Sequence, residues 1–213
     1  MRFQLPRFYP ITDTRLGGLT HREQVEQLAA GGARLIQLRD KLATPRDFYR
    51  SSVEAIAAAR KLGVRIIIND RLDIAVAAGA DGVHLGQDDL PVEEARRIVG
   101  DRLIIGFSTH SVEQALAADS LAVDYVAVGP VFETSTKDRP DPVVGLDLIR
   151  EVKSRLSRPL VAIGGITLSR APQVIEAGAD SLAVISDLYS TGSIPDRVRA
   201  FLEATGSNQL DNL

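Results

Sequence analysis

The sequence predicts a single-domain (β/α)8 TIM barrel, and two observations support it. Eight short, β-branched apolar runs alternate with amphipathic stretches rich in Ala and Glu, and one helix-to-strand junction recurs along the chain. The apolar runs occupy residues 8–12, 34–38, 65–68, 82–85, 103–107, 125–129, 160–163 and 182–185. Such runs suit strands that are buried on both faces of a parallel sheet. Eight of these units within 213 residues fit the barrel.

Helical spacing fills the intervals between the runs. It covers residues 20–31, 46–61, 91–99, 111–118, 145–156 and 168–177, and Asn69-Asp70 opens a further short helix. Pro45 and Pro91 stand near predicted helix starts, and Ser111 with Gln114 predicts a capping box. Gly31, Gly63, Gly79, Gly100 and Gly178 fall where helices should end. His21 lies at a helix start and is expected on the surface.

The recurring junction consists of a helix end, a glycine turn and the start of a strand. It appears at residues 29–36, 77–85 and 176–184. A doubly wound open sheet is the competing architecture, but the first strand is not followed by a G-x-G-x-x-G turn. No linker divides the chain, so residues 1–213 are expected to form one domain, with a polar tail that frays after about residue 204.

Composition excludes several classes of protein and site. The chain has no cysteine, so disulfides, thiolate nucleophiles and Cys-ligated metals are ruled out. A net charge of −3 without a basic run, and only 5% aromatic residues, argue against nucleic-acid partners. No apolar run is long enough to span a bilayer, and no signal peptide is visible at the start. We therefore expect a cytoplasmic protein without membrane or nucleic-acid partners.

Polar residues concentrate where the predicted strands end. In TIM barrels the loops at this end form the active site. The residues concerned are Asp13, Gln37, Arg39, Asp40, Lys41, Asn69, Asp70, Gln87, Asp88, Asp89, Ser108, Thr109, His110, residues 133–138, Gly164, Gly165 and Ser186. The sequence therefore predicts a site at this end of the barrel.

The second strand end carries three polar residues at alternate positions, Gln37, Arg39 and Lys41. Alternate strand residues face the same way, so these side chains predict an anion or ligand site at the barrel mouth. A salt-bridged layer of the barrel is the alternative. Asp70 and Asp89, on neighbouring loops, predict a Mg²⁺ site, because Mg²⁺ is held by one or two carboxylates together with substrate phosphates. Each carboxylate alone could instead cap a helix.

The last strand ends predict a phosphate site. Gly164-Gly165 and Ser186 follow the seventh and eighth strands, which usually supply the phosphate cradle of this fold, although a plain tight turn is the alternative. The segment from Thr134 to Asp141 resembles a mobile lid, and Thr134, Thr136 and Lys137 could supply donors to a phosphate or diphosphate. A solvated loop is the alternative there.

Two histidines near these strand ends are not assigned to the site. His84, within a strand, is read as a core histidine, and His110 as either catalytic or capping.

Eight motifs in register carry a family resemblance. They are Y-P-I-T-D at 9–13, Q-L-R-D-K at 37–41, N-D-R-L-D-I-A at 69–75, D-G-V-H-L-G-Q-D-D at 81–89, G-F-S-T-H at 106–110, D-Y-V-A-V-G-P-V-F-E-T-S-T-K at 124–137, V-A-I-G-G-I at 161–166 and A-V-I-S at 183–186. Together they resemble the thiamine phosphate synthase family over about residues 8–204. The resemblance implies a Mg²⁺-dependent transferase. Such an enzyme joins 4-amino-2-methyl-5-(diphosphooxymethyl)pyrimidine to 4-methyl-5-(2-phosphooxyethyl)thiazole, releasing diphosphate by dissociative substitution.

The resemblance also implies residue roles. It places the pyrimidine diphosphate on Gln37, Leu38, Arg39, Asp40, Lys41, Asn69, Ser108 and Lys137, of which Lys41, Ser108 and Lys137 are catalytic candidates. It places the thiazole phosphate on Thr134, Ser135, Thr136, Gly165, Ile185 and Ser186, and Mg²⁺ on Asp70 and Asp89.

Two other readings remain open from the sequence. A related thiazole tautomerase would share the barrel and the thiazole phosphate cradle, and His110 could supply its proton transfer. A thiazole phosphate-binding protein without turnover is the second. One departure from the family pattern is the compressed, proline-rich segment after Lys137, where lid variation is expected.

Overall fold

Eight parallel strands form one sheet in the described part of this computed structural model, which covers residues 3–134, 142–190 and 192–206. The strands are β1 (Phe8–Pro10), β2 (Leu35–Leu38), β3 (Arg65–Asn69), β4 (Gly82–Leu85), β5 (Ile104–Thr109), β6 (Tyr125–Val128), β7 (Leu160–Ile163) and β8 (Ser181–Val184). From β2 to β8 each strand pairs with its neighbours in sequence, and β8 also pairs with β1. A parallel bridge between Ile11 and Gln37 joins the β1 and β2 edges. The predicted TIM barrel is confirmed.

Helices alternate with these strands. Within the described residues they are α1 (Thr14–Gly17), α2 (His21–Ala30), α3 (Pro45–Lys61), α4 (Leu72–Ala78), α5 (Val92–Val99), α6 (Val112–Asp119), α7 (Gly145–Arg155), α8 (Ala171–Glu176) and α9 (Ile194–Ala204). The sequence did not predict α1 or α9. Helix α9 buries Ile194, Val198 and Phe201, a spacing that could have revealed it. The frayed tail and the one-domain boundary stay predictions, because residues 207–213 lie outside the described residues.

The predicted capping box of α6 is only half formed. The Ser111 hydroxyl accepts a hydrogen bond from the Gln114 backbone N–H at 3.2 Å. The Gln114 side chain, however, accepts from the backbone N–H of His110 instead of that of Ser111, at 2.7 Å. Helix α2 carries the reciprocal pair, between Thr20 and Glu23, which the sequence analysis did not identify.

The core has two layers, one inside the barrel and one between the strands and the helices. The inner layer consists of Tyr9, Ile11, Leu35, Ile67, Tyr125, Ala127, Val161 and Ala183. Phe3 and Leu5 pack against it, and the Arg65 guanidinium lies 5.8 Å from the centre of the Phe3 ring. Because Arg65 begins β3, these side chains cover the amino-terminal end of the barrel. The opposite, carboxyl-terminal end of the barrel is where TIM barrels place their ligand sites.

The surface position expected for His21 is wrong. Its side chain is 1% exposed, and its Nδ1 lies 2.8 Å from the Thr12 hydroxyl. Its ring packs against Phe48, and its Nε2 lies 3.7 Å from an Asp40 carboxylate oxygen. The first turn of α2 packs beneath the loops that follow β1 and β2, which no local pattern in the sequence indicates. Burial lowers the pKa of His21, although the nearby carboxylates of Asp40 and Asp13 oppose that shift.

Among the described residues, no helix combines the length and apolar character needed to cross a bilayer. The cytoplasmic location expected from the composition stays a prediction.

Candidate active site

A cavity of about 520 Å³ opens at the carboxyl ends of the strands. Its wall contains residues from the ends of all eight strands or the loops that follow them. They are Tyr9, Ile11, Gln37, Arg39, Lys41, Asn69, Asp70, His84, Gly86, Gln87, Asp88, Asp89, Ser108, Thr109, His110, Gln114, Ala127, Gly129, Pro130, Thr134, Val161, Ile163, Gly164, Gly165, Ile166, Ala183, Val184, Ile185 and Ser186. The cavity therefore lies at the end of the barrel where the sequence predicts the site.

The alternation predicted after β2 is present. Gln37, Arg39 and Lys41 line the cavity, whereas Leu38 and Asp40 do not. Leu38 is fully buried in the outer core layer. Asp40 accepts hydrogen bonds from the backbone N–H groups of residues 42 and 43, at 3.0 and 2.9 Å, and so shapes the turn that carries Lys41. The side chains of Leu38 and Asp40 do not line the cavity. The substrate contacts that the resemblance assigns to these two residues stay predictions.

Arg39 is held by a buried carboxylate. Its Nη1 lies 3.2 Å from Asp13 Oδ2, and Arg15 donates two more hydrogen bonds to the same carboxylate, at 2.8 and 3.0 Å. Burial raises the pKa of Asp13, but the hydrogen bonds from Arg15 and the charges of Arg15 and Arg39 outweigh it and hold that pKa below its ordinary value. The ionised Asp13 therefore fixes the guanidinium of Arg39 at the cavity wall.

Lys41, Asp70 and Asp89 form a charged cluster on one side of the mouth. The Lys41 ammonium pairs with Asp70, and the carboxylate of Asp89 lies close enough to that of Asp70 for the charge of Asp70 to act on it. Burial and the neighbouring charge of Asp70 raise the pKa of Asp89, although a bond from the Gly86 backbone N–H opposes this. The reading of these two acids as helix caps is wrong, because α4 and α5 begin after residues 71 and 91 without side-chain caps.

The pair of carboxylates fits the demands of Mg²⁺. Two acids this close repel each other unless a proton or a cation lies between them. Mg²⁺ binds through one or two carboxylates and leaves its other positions to substrate phosphates and water. Across the described ranges no set of three or more acidic, His or Cys side chains could hold a metal, so Mg²⁺ at Asp70 and Asp89 stays a prediction that needs further ligands from substrate and water.

The floor of the cavity holds a polar cluster that no sequence motif predicted. His84 hydrogen bonds through Nδ1 to the Tyr125 hydroxyl at 3.0 Å and through Nε2 to the Ser108 hydroxyl at 2.8 Å. Both ring nitrogens are thus engaged, as expected for a core histidine, yet His84 also lines the cavity. The neighbouring positions of β4, β5 and β6 bring these three side chains together. That proximity follows from sheet register and not from local sequence.

The opposite side of the mouth is built from backbone. Gly164 and Gly165 have φ angles of +102° and +62°, a region that favours glycine. A Cβ on Gly165 would lie 2.3 Å from the Glu133 carbonyl oxygen. Ile185 and Ser186 complete this wall, and Ser186 begins a short 3-10 turn. Arg170 donates to the Gly165 carbonyl at 2.9 Å and stacks over the Phe132 ring, so the β6 and β7 loops are joined beside the cavity.

Several predicted residues of the lid cannot be placed. Ser135, Thr136 and Lys137 lie outside the described residues, whereas Thr134 lines the cavity. His110 also lines it, and its Nδ1 lies 2.7 Å from the Gly129 carbonyl oxygen.

Comparison with known proteins identifies the family. Residues 8–188 match the family model described as Thiamine monophosphate synthase. The thiamine-phosphate synthase of Koribacter versatilis is 48% identical over 87% of this chain and 90% of its own length. The thiamine-phosphate synthase of Methanocella arvoryzae is 47% identical over 90% of this chain and 91% of its own length. The solved thiamine phosphate pyrophosphorylase of Pyrococcus furiosus superposes with a TM-score of 0.85 at 35% identity, covering 94% of this chain and 95% of that one.

The matched range spans every strand and every residue that lines the cavity. This chain belongs to the thiamine-phosphate synthase family and is a transferase enzyme.

Proposed function

We propose that this enzyme condenses 4-amino-2-methyl-5-(diphosphooxymethyl)pyrimidine with 4-methyl-5-(2-phosphooxyethyl)thiazole. The products are thiamine phosphate and diphosphate, and the reaction depends on Mg²⁺. One observation carries the proposal: a charged cluster and a glycine-built wall face each other across a single cavity. Two differently built anion sites suit two phosphorylated substrates.

The diphosphate group belongs on the charged side. Lys41 is half exposed and Arg39 lines the same wall, so both cations can reach phosphate oxygens. Asn69 lies at the end of β3 and adds an amide group to the same cavity wall. Bound at Asp70 and Asp89, Mg²⁺ would neutralise charge on the departing diphosphate.

The thiazole phosphate belongs on the glycine-built wall. Backbone N–H groups of the β7 and β8 loops are the usual phosphate donors of this fold, and the Ser186 hydroxyl adds another donor. The Arg170 bond to the Gly165 carbonyl fixes the peptide that this wall depends on. Thr134 approaches from the β6 loop.

The protein has little acid–base chemistry to perform in this reaction. The electron-rich aminopyrimidine expels diphosphate, which leaves a stabilised cation at its methylene, and the thiazole nitrogen then bonds to that carbon. Lys41 and Arg39 stabilise the negative charge that develops on the leaving group. Ser108 contacts the pyrimidine ring, and the walls align the two reactants. Water must be excluded, because it would convert the cation to the free alcohol.

The synthase is favoured over the thiazole tautomerase and over a binder without turnover. Neither alternative requires Lys41, Asp70 and Asp89 to converge, whereas a diphosphate leaving group does. His110, the candidate proton donor for a tautomerase, lines the cavity with its Nδ1 2.7 Å from the Gly129 carbonyl oxygen, so the preference for the synthase rests on the charged cluster.

The test is diphosphate release on mixing both substrates, with Mg²⁺ or with EDTA. We expect release only when both substrates and the metal are present, with thiamine phosphate formed in equal amount. Asp70→Asn should lower kcat by roughly 10²–10³-fold, the size expected for losing one preorganised charge contact. Asp73→Asn is the matched control, because Asp73 is exposed and pairs with Arg71 away from the cavity. Release without the thiazole substrate, or in EDTA, would contradict the proposal.

A further inference from the structure

A continuous chain of hydrogen bonds crosses the cavity floor from β2 to β5. Gln37 Nε2 donates to the Tyr9 hydroxyl at 2.9 Å, and the Tyr9 and Tyr125 hydroxyls lie 2.9 Å apart. Tyr125 then meets His84 Nδ1 at 3.0 Å, and His84 Nε2 meets the Ser108 hydroxyl at 2.8 Å. The chain thus joins two residues predicted to touch the pyrimidine substrate, Gln37 and Ser108.

Both tyrosines in the chain keep their protons. Burial raises the pKa of Tyr9, although the bonds with Gln37 and Tyr125 oppose that shift. Burial also raises the pKa of Tyr125, and the neighbouring Tyr9 adds to the shift. Each hydroxyl therefore carries one hydrogen at neutral pH and can donate only one bond.

These constraints give the chain a direction. Tyr9 accepts from the Gln37 amide, and within this chain the acceptor left for its own hydrogen is the Tyr125 hydroxyl, since a buried hydroxyl without an acceptor is costly. Tyr125 then accepts from Tyr9 and passes its hydrogen to His84 Nδ1. A ring nitrogen that accepts a hydrogen bond carries no proton, so the proton of His84 is on Nε2, which points at Ser108.

We propose that this chain holds His84 in its Nε2–H tautomer, so that Ser108 accepts from His84 and directs its own hydroxyl hydrogen into the cavity. Ser108 is then a donor for an acceptor atom of the substrate, such as a ring nitrogen of an aromatic heterocycle. Tyr9, Tyr125 and His84 act through Ser108 and are positioning residues. The identity of that heterocycle rests on the proposed function; the tautomer of His84 does not.

The amide of Gln37 sets the direction of every hydrogen bond in the chain. If a carbonyl or carboxylate oxygen faced Tyr9, each bond would reverse: Tyr9 would donate to it, Tyr125 to Tyr9 and His84 Nδ1 to Tyr125. His84 Nε2 would then accept from Ser108, whose hydroxyl could no longer donate to the substrate. Gln37→Glu should therefore change the tautomer of a histidine that lies three hydrogen bonds away along the chain.

The experiment is ¹⁵N NMR of the ligand-free enzyme labelled at histidine, in which the ring-nitrogen shifts report the tautomer. The chain has three histidines to assign. We expect wild-type His84 to be the Nε2–H tautomer. In Gln37→Glu at about pH 9, where a glutamate is normally ionised, we expect Nδ1–H. A wild-type His84 that carries its proton on Nδ1 would overturn the proposal, and so would a Gln37→Glu spectrum that keeps the wild-type tautomer. Both spectra are recorded without substrate, so they test the hydrogen-bond chain even if the proposed reaction is wrong.

Kinetics provide a second readout. Tyr125→Phe removes one oxygen and keeps the ring that packs in the inner core. It should lower kcat by roughly threefold to tenfold, the effect of one hydrogen bond, with little change in KM for the thiazole substrate. Tyr49→Phe, on the exposed face of α3, is the matched control and should leave kcat unchanged. A wild-type kcat in Tyr125→Phe would overturn the positioning role.

Discussion

The two sides of the cavity mouth differ in the groups that they present: charged side chains on one side and glycine backbone on the other. The side formed by the loops after β2, β3 and β4 presents charged side chains, with Lys41 paired to Asp70 and with Asp89 beside them. The side formed by the loops after β7 and β8 presents glycine backbone, with Gly164 and Gly165 at positive φ. Charged side chains can be replaced one at a time with little effect on the backbone. A glycine wall cannot be altered without moving the loop, so substitutions on the two sides should fail in different ways.

The largest expected effect is on the charged side. Lys41→Met removes the cation that pairs with Asp70 and that would contact the leaving diphosphate. We expect kcat to fall by roughly 10²–10³-fold, as for other preorganised electrostatic groups, with the melting temperature nearly unchanged because Lys41 is exposed. Lys61→Met, in the last turn of α3, is the control. A fall of less than about tenfold would mean that Lys41 does not stabilise the transition state.

Gly165→Ala should produce the next largest effect on catalysis. Its Cβ would lie 2.3 Å from the Glu133 carbonyl oxygen, at a φ of +62°. Backbone strain of this kind costs about 1–3 kcal/mol, so we expect KM for the thiazole substrate to rise roughly 5- to 100-fold and kcat to change less.

Gly192→Ala is the control for this substitution, because a Cβ there meets no atom within 4 Å among the residues that the structure describes. Equal losses of kcat in Gly165→Ala and Lys41→Met would remove the distinction between the two sides.

A smaller effect is expected at the support of the glycine wall. Arg170→Met removes the bond to the Gly165 carbonyl and the cation over the Phe132 ring, both at an exposed position. We expect KM for the thiazole substrate to rise about two- to fivefold, which corresponds to a weak exposed contact. Arg199→Met, whose partner Asp196 lies on α9, should leave KM unchanged. A change in the pyrimidine diphosphate KM instead would place Arg170 on the wrong side.

The smallest expected effect is on stability and concerns His21, which is buried beneath the loops that follow β1 and β2. Burial lowers the pKa of His21, so the folded enzyme resists protonation there while the unfolded chain binds a proton near pH 6.5. The free energy of unfolding should therefore be fully retained above that pH and decline as the pH falls towards the folded-state pKa, by at most about 1.4 kcal/mol per pH unit. In His21→Asn this part of the slope should vanish in urea titrations at successive pH values. An identical slope in both proteins would contradict the assignment.

Residue type and period revealed the fold and the charged side. Alternating polar residues after β2 predicted one shared face, and the structure places Gln37, Arg39 and Lys41 on it. The same alternation explains why Leu38 and Asp40 point elsewhere.

What the sequence could not reveal depends on register between distant strands. The chain from Gln37 to Ser108 requires β1, β2, β4, β5 and β6 to meet inside the barrel, with Tyr125 lying against Gly106. Burial of His21 likewise follows from the packing of α2 against loops far from it in sequence. Helix periodicity describes each segment alone and is silent on such contacts.

The most direct test of the two-sided site is a pair of calorimetric binding titrations on three proteins. Pyrimidine diphosphate with Mg²⁺ and thiazole phosphate are each titrated into the wild type, Lys41→Met and Gly165→Ala. The account predicts that Lys41→Met weakens only the pyrimidine diphosphate and that Gly165→Ala weakens only the thiazole phosphate. If each variant weakened both ligands equally, or the pattern were reversed, the assignment of the two sides would be wrong.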